Sequence, residues 1–140
     1  IERDPTAGAS YAAEDAAAGF IDRLADQMRF LADRAIAAGM RQDRIMIDPG
    51  IGFGKTVDQN LAILGAVERL RVRDLPILIG PSRKSFIGHA LQVGPDDRLD
   101  GTIAAIAIAA FCGADMVRVH DLPQTARAAA LGAAVRRAAS

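Results

Sequence analysis

The chain has 140 residues, with 17 basic and 17 acidic side chains and a formal net charge of zero. That balance argues against binding nucleic acid or a membrane surface through bulk charge. The longest apolar run, Ile103 to Cys112, is too short to cross a bilayer and reads as a buried helix ended by Gly113.

Hydrophobic residues make up 51% of the chain, enough for a core, and many are alanines that suit close helix packing. Cys112 is the single cysteine, so no internal disulfide is possible, as expected in a reducing cytoplasm. The sequence opens on Ile1 with no visible signal peptide, which leads to the expectation that it begins inside a longer parent.

Residues 1–18 read as a polar, flexible loop punctuated by Arg3-Asp4-Pro5, Gly8 and Ser10. From Gly19 to Ala38, Phe20, Leu24, Met28, Leu31 and Ala35 recur at spacings of three and four. They form one stripe of an amphipathic helix, with Asp22, Arg23, Asp26, Arg29 and Asp33 on the wet side. Gly39 is a left-handed stop. Arg44 to Asp48 reads as a short strand, Ile45 and Ile47 on one face and Met46 and Asp48 on the other.

Thr56-Val57-Asp58-Gln59 has the form of a capping box opening a helix whose buried stripe is Leu61, Leu64, Val67 and Leu70, with Ile63 beside them. Pro76-Ile77-Leu78-Ile79-Gly80 is a continuous apolar run, the pattern of a strand buried on both faces. It breaks abruptly into the cationic Pro81-Ser82-Arg83-Lys84-Ser85-Phe86. A loop with Gly94 and Pro95 leads to a helix from Asp100-Gly101-Thr102 to about Cys112. Met116 to His120 alternates as a strand. Asp121 can cap a last helix, with Pro123 in its first turn and Ala128, Leu131 and Val135 along it, ending at Arg136-Arg137.

Helices and strands thus alternate, which implies parallel, right-handed βαβ units. A complete eight-stranded barrel takes about 250 residues, so three strands and four helices are at most the last part of one. Ligands of such folds gather at the carboxyl ends of the strands. There the sequence places Asp48, the Gly80–Lys84 segment, and Arg118 with His120 two residues on. The period of two turns Val117 and Val119 toward the helices, so Arg118 and His120 share the inward face with Met46 and Asp48.

An anion among several cations then converges on one mouth, and a bound anion would relieve the cost of burying unpaired positive charge. Arg118 suits bidentate contact with a phosphate, Lys84 supplies a point charge, and the acceptor-only Asp48 suits a pair of heterocycle N–H groups. Simpler roles stay open. Asp48 can be a turn former, Arg118 an ion-pair partner of Asp115 or Asp121, His120 the closer of a local hydrogen bond, and Lys55 a solvated loop charge.

Spacing excludes other sites. Gly54-Lys55-Thr56 ends like a P-loop, but the required first glycine is Pro49. Gly50, Gly52 and Gly54 also miss the dinucleotide fingerprint by one position and are better suited to positive-φ turns and close ligand approach. One cysteine and two histidines make no zinc site, and no nucleophile elbow surrounds Ser82 or Ser85.

The segments Asp48-Pro49-Gly50-Ile51-Gly52-Phe53-Gly54-Lys55-Thr56, Gly80-Pro81-Ser82-Arg83-Lys84-Ser85-Phe86-Ile87-Gly88, Gly101-Thr102 and Arg118-Val119-His120-Asp121 closely resemble the dihydropteroate synthase family. The resemblance runs along nearly the whole chain, and Ser-Arg-Lys-Ser-Phe is its most specific piece. Related pterin-binding methyltransferases share the strand-end Asp.

The resemblance implies an (α/β)8 TIM barrel, residues 1–140 being the C-terminal part of its single domain. It implies a transferase of folate synthesis, a sulfonamide target, that joins 6-hydroxymethyl-7,8-dihydropterin diphosphate to 4-aminobenzoate, releasing diphosphate. On that resemblance Asp48 bonds the pterin ring, Lys84 reaches the pterin while its stem lines the aminobenzoate pocket, and Gly52, Phe53 and Ser85 lie near the aminobenzoate. Gly80 allows close approach of the pterin, and Arg118 and His120 hold the diphosphate, with Asp48, Lys84 and Arg118 the catalytic group.

It also implies Mg2+, whose expected protein ligand lies in the N-terminal half of the barrel that this chain lacks, along with other pterin-binding aspartates and two loops. The implied partners are that missing half and a second copy in a homodimer formed through the last helices.

Overall fold

The computed structural model describes residues 19–140, so the loop expected over 1–18 lies outside the described residues. The first helix, α1 (Phe20–Ala37), buries Phe20, Ile21, Leu24, Ala25, Met28 and Ala32. The stripe is therefore rotated from the expected one: Leu31 is exposed and Ala32 takes the inner position. Gly39, at φ 94°, ends the helix in the left-handed region that a side chain would resist.

The expected first strand is reduced to one parallel bridge between Ile47 and Ile77. The Ile47 N–H donates to Pro76 O at 2.9 Å, and the Leu78 N–H donates to Ile47 O at 2.9 Å. A 3₁₀ turn, Gln42–Arg44, occupies the start of the expected run. Among the described residues this segment has a single neighbour in the sheet, and Asp48 turns onto the following loop, which keeps the ladder short.

After the loop comes α2 (Val57–Gly65), and its capping box forms as expected: the Gln59 N–H donates to Thr56 Oγ1 and the Thr56 N–H to Gln59 Oε1. Leu64 and Ile63 are buried, whereas Leu61 is exposed and Asn60 is buried in its place. Val67 and Leu70 bury from a separate 3₁₀ turn, Val67–Leu70.

The second expected strand is β1 (Leu78–Ile79) and the third is β2 (Met116–Val117). They pair in parallel, Leu78 opposite Met116 and Ile79 opposite Val117. One face of this small sheet carries Ile47, Ile77 and Ile79, all buried, and Val117, packed against them. Burying each such isoleucine contributes about 1.5–3 kcal/mol. The other face is open, with Met46 40% and Met116 48% exposed. Among the described residues the run Pro76 to Gly80 is thus not sealed on both faces as its composition suggested, because none of their elements covers Leu78 and its neighbours.

Between the strands lie α3 (Ser85–Leu91), which the apolar-to-cationic break concealed, and α4 (Leu99–Phe111), ended by Gly113 at φ 100°. The last helix, α5 (Leu122–Ala138), packs along α4. Among the described residues there are thus two named strands and a bridge with five α-helices, where three strands and four helices were expected.

The buried positions of α5 are Thr125, Ala128 and Gly132, while Leu131 is 65% exposed and Val135 also faces out. Asp121 precedes α5 but makes no side-chain cap, since its carboxylate is taken by Arg83. Small residues win the inner face because the helices approach so closely: a Cβ on Gly132 would stand 2.2 Å from Ala107 O.

Gly132→Ala is accordingly expected to destabilise the chain by about 1–3 kcal/mol through overpacking, although alanine favours an isolated helix by about 1 kcal/mol. Urea unfolding measures the change. A more stable variant would contradict this packing.

Candidate active site at the strand ends

Asp48 leaves the Ile47 bridge and turns onto the glycine loop, where its Oδ1 accepts the Gly50 N–H at 2.8 Å. Gly50, Gly52 and Gly54 all adopt positive φ, at 69°, 79° and 60°, so the three glycines serve the turn. The other carboxylate oxygen faces Arg118, with Oδ2 3.8 Å from Nη2. Arg118 in turn lies over Gly80, where a Cβ would stand 3.3 Å from its Nε and Nη2. In this structure the missing side chain of Gly80 makes room for a guanidinium.

The two alternative partners of Arg118 are both engaged elsewhere. Asp115 pairs with Arg71 at 2.9 Å and accepts the Ile77 N–H at 2.8 Å. Asp121 accepts from Arg83 Nε at 2.9 Å. Arg118 is 62% exposed, so the expected burial cost of its charge does not arise here. At that exposure the Asp48 pair is worth about 0–1 kcal/mol and opens readily for a stronger anion.

Both lysines of the chain meet at this turn. Lys84 lays its stem over Gly52, where a Cβ would stand 2.2 Å from Lys84 Cδ. Its ammonium donates to Ile51 O and stands 4.1 Å from the centre of the Phe53 ring, a cation–π contact. Lys55 was expected to be solvated. Instead it folds back and donates to Gly50 O at 2.9 Å and Phe53 O at 3.2 Å.

Burial pushes both ammonium groups below the usual lysine range, and the Asp48 carboxylate opposes that shift. For Lys84, Arg118 and then Lys55 deepen it. The turn is braced from below by Asn60, whose Oδ1 accepts the Gly52 N–H and whose Nδ2 donates to Thr56 O at 2.8 Å and Lys55 O at 3.3 Å. Asn60 was not singled out from the sequence, and Lys55 was read there only as a solvated loop charge. The available signals were a polar residue on a buried helical stripe and a chain that uses lysine only here.

The loop after β1 is tied to the segment after β2. Ser82 Oγ lies 2.8 Å from His120 Nδ1, so the hydrogen bond of His120 is not a local one. Arg83, at φ 57°, donates its N–H to the buried Thr102 Oγ1 at 2.9 Å and pairs with Asp121. That pairing holds the Asp121 carboxyl below its usual range, chiefly through the side-chain hydrogen bond. Ser85 opens α3 as an exposed residue, and no hydrogen bond ties its side chain to the rest of the group.

The strand ends thus bring together Asp48, Gly52, Phe53, Gly80, Lys84 and Arg118, with His120 held through Ser82. Among the described residues no group of three or more His, Cys, Asp or Glu side chains could hold a metal ion. Asp48 already bonds Gly50 and faces Arg118, so the implied Mg2+ finds no donor set here. A cleft of about 330 Å³ beside Glu68 and Arg136, and an apolar one of about 380 Å³ between Leu61 and Ile108, lie apart from the mouth.

A lysine with a lower pKa in the folded state holds fewer protons there than in the unfolded chain. Its contribution to stability therefore grows as pH rises through the folded pKa toward the usual lysine range. Asp48→Asn is expected to lower the pKa of both lysines further, read by NMR titration of their side-chain signals. A rise in either would contradict the geometry. Asn60→Ala, which orphans the Gly52 N–H, is expected to cost about 1–3 kcal/mol in urea unfolding.

The chain is similar to proteins of known family. Residues 6–120 match the family model described as "Pterin binding enzyme". The chain is 43% identical over 95 residues to dihydropteroate synthase of Escherichia coli (strain K12), covering 68% of this chain and 34% of that protein. It is 38% identical over 118 residues to inactive dihydropteroate synthase 2 of Mycobacterium leprae (strain TN), covering 84% of this chain and 40% of that protein.

A solved dihydropteroate synthase from Coxiella burnetii, in complex with pteroic acid, superposes with a TM-score of 0.84 at 35% identity, covering 89% of this chain and 47% of that one. The chain thus spans between a third and a half of the length of these relatives. A match over most of the chain places this protein in the pterin-binding enzyme family.

Proposed function

We propose that this chain is the C-terminal part of a dihydropteroate synthase, an (α/β)8 barrel transferase that joins 6-hydroxymethyl-7,8-dihydropterin diphosphate to 4-aminobenzoate. The observation that carries the reading is the convergence of Asp48, Lys84 and Arg118 over Gly52 and Gly80 at one end of the sheet. The open sheet face with Met46 and Met116 suits the remainder of a barrel. The exposed Leu131 and Val135 of α5 suit a homodimer contact.

The chemistry asks for little beyond placement and charge. As diphosphate departs, negative charge grows on the leaving oxygens and a cation develops on the pterin methylene. Arg118, held only loosely by Asp48, turns its fork toward the diphosphate, and His120 adds a second contact. Asp48 accepts N–H groups of the pterin and fixes its plane. The Lys84 stem over Gly52, with Phe53 beside it, lines the aminobenzoate side, and Ser85 stands at the adjoining helix start. The arylamine is itself nucleophilic, so no strong base is required. Among the described residues no cluster of His, Cys, Asp or Glu side chains fits Mg2+.

A second reading has its own support, since the inactive Mycobacterium leprae relative matches a longer stretch of this chain than the Escherichia coli enzyme does. Calorimetric titration with the pterin diphosphate and then 4-aminobenzoate separates the readings: ordered binding of both supports the synthase, and binding of neither supports an inactive form. Pterin binding alone would point to a methyltransferase-type domain.

Arg118→Ala is expected to weaken the pterin diphosphate by about 10- to 100-fold, as loss of a charged hydrogen-bond donor does, and to leave free pterin nearly unchanged. Equal losses for the two ligands would refute the role given to Arg118.

A further inference from the structure

Ser82 is 5% exposed and takes no part in the transfer chemistry outlined above. Its Oγ accepts the backbone N–H of His120 at 3.2 Å and lies 2.8 Å from Nδ1 of the same residue. A serine hydroxyl has one proton and two lone pairs. The backbone N–H occupies one lone pair. The only acceptor that the described residues bring within bonding distance of the hydroxyl is Nδ1.

Were Nδ1 protonated, it would donate to Oγ and leave the buried hydroxyl proton with no acceptor, an unmade bond in a dry place. The arrangement that satisfies every group has Ser82 donating to Nδ1. A neutral imidazole then carries its own proton on Nε2. His120 is exposed while Ser82 is buried, so Nδ1 is the ring nitrogen engaged with the protein and Nε2 is the one left for a ligand.

The contact does not depend on one hydrogen bond for its geometry. The next residues of the same two segments, Arg83 and Asp121, are joined by two hydrogen bonds. The Arg83 N–H is fixed on the buried Thr102, and its carbonyl accepts from Arg98 Nη1 at 3.0 Å.

We propose that Ser82 is a positioning residue that holds neutral His120 as its Nε2–H tautomer, so that the ring offers a hydrogen-bond donor to a phosphoryl oxygen without first taking up a proton. The tautomer follows from the contacts alone, while the phosphoryl ligand rests on the proposed function.

Nitrogen-15 NMR of the 140-residue chain, above the histidine titration, reads the tautomer directly. His89, exposed on α3, serves as the internal comparison. The expected spectrum has an unprotonated Nδ1 and a protonated Nε2 for His120. A protonated Nδ1 overturns the proposal, and this measurement needs no variant.

In Ser82→Ala, His120 is expected to relax to a tautomer mixture, and the Kd for inorganic diphosphate to rise about fivefold, the loss of one modest hydrogen bond. An unchanged tautomer ratio overturns the positioning role. If the unaltered chain binds no inorganic diphosphate, the anion-site reading falls, and the nitrogen spectrum still decides the tautomer.

Discussion

The pairing of Ile47 with Ile77, and of Leu78 and Ile79 with Met116 and Val117, determines which residues share an end of the sheet. Parallel strands with a side-chain period of two send Ile47, Ile77, Ile79 and Val117 to the helices. The alternate positions then have no choice of direction. Asp48, Gly80 and Arg118 must emerge on the other face, at the carboxyl end. A slip of one residue in any segment would bury the charge and expose an isoleucine. The core thus enforces the register of the site, and it touches the site through Ile51, whose carbonyl accepts from Lys84.

Charge at the mouth is kept in a loose balance. Asp48 faces Arg118 at 3.8 Å and opposes the shift that burial imposes on Lys55 and Lys84. One carboxylate among three cations leaves the group short of negative charge, the complement of a diphosphate. The lysines are anchored by carbonyls of the glycine turn, and Arg118 is not. Arg118, the least anchored member of the set, is the one that the proposed function asks to follow a departing anion, while the lysines hold the loop in shape.

The helices show how backbone proximity overrides a hydrophobic pattern. On α5 the large residues Leu131 and Val135 face out, and Thr125, Ala128 and Gly132 face α4, because the Ala107 carbonyl lies where a larger side chain would go. On α2 a buried asparagine displaces Leu61 because the glycine turn needs its amide groups satisfied. In both places the exposed leucine is the residue that a periodicity argument selects for the core.

By itself the sequence determined the alternation of helices and strands apart from α3, the capping box at Thr56, the glycine stops, and the shared direction of Asp48 and Arg118. These depend on local propensity and on a period of two, which a chain carries within short windows. The Ser-Arg-Lys-Ser-Phe and Asp-Pro-Gly segments also carried the family. Only the tertiary structure decided that Arg118 pairs with Asp48 rather than Asp115 or Asp121, that Lys55 folds inward, that Asn60 braces the turn, and that Ser82 holds His120. Two of these, Arg118 with Asp48 and Ser82 with His120, join residues far apart in the chain. The other two are made within the glycine turn and the helix after it, by a loop geometry that has no period for a sequence to display.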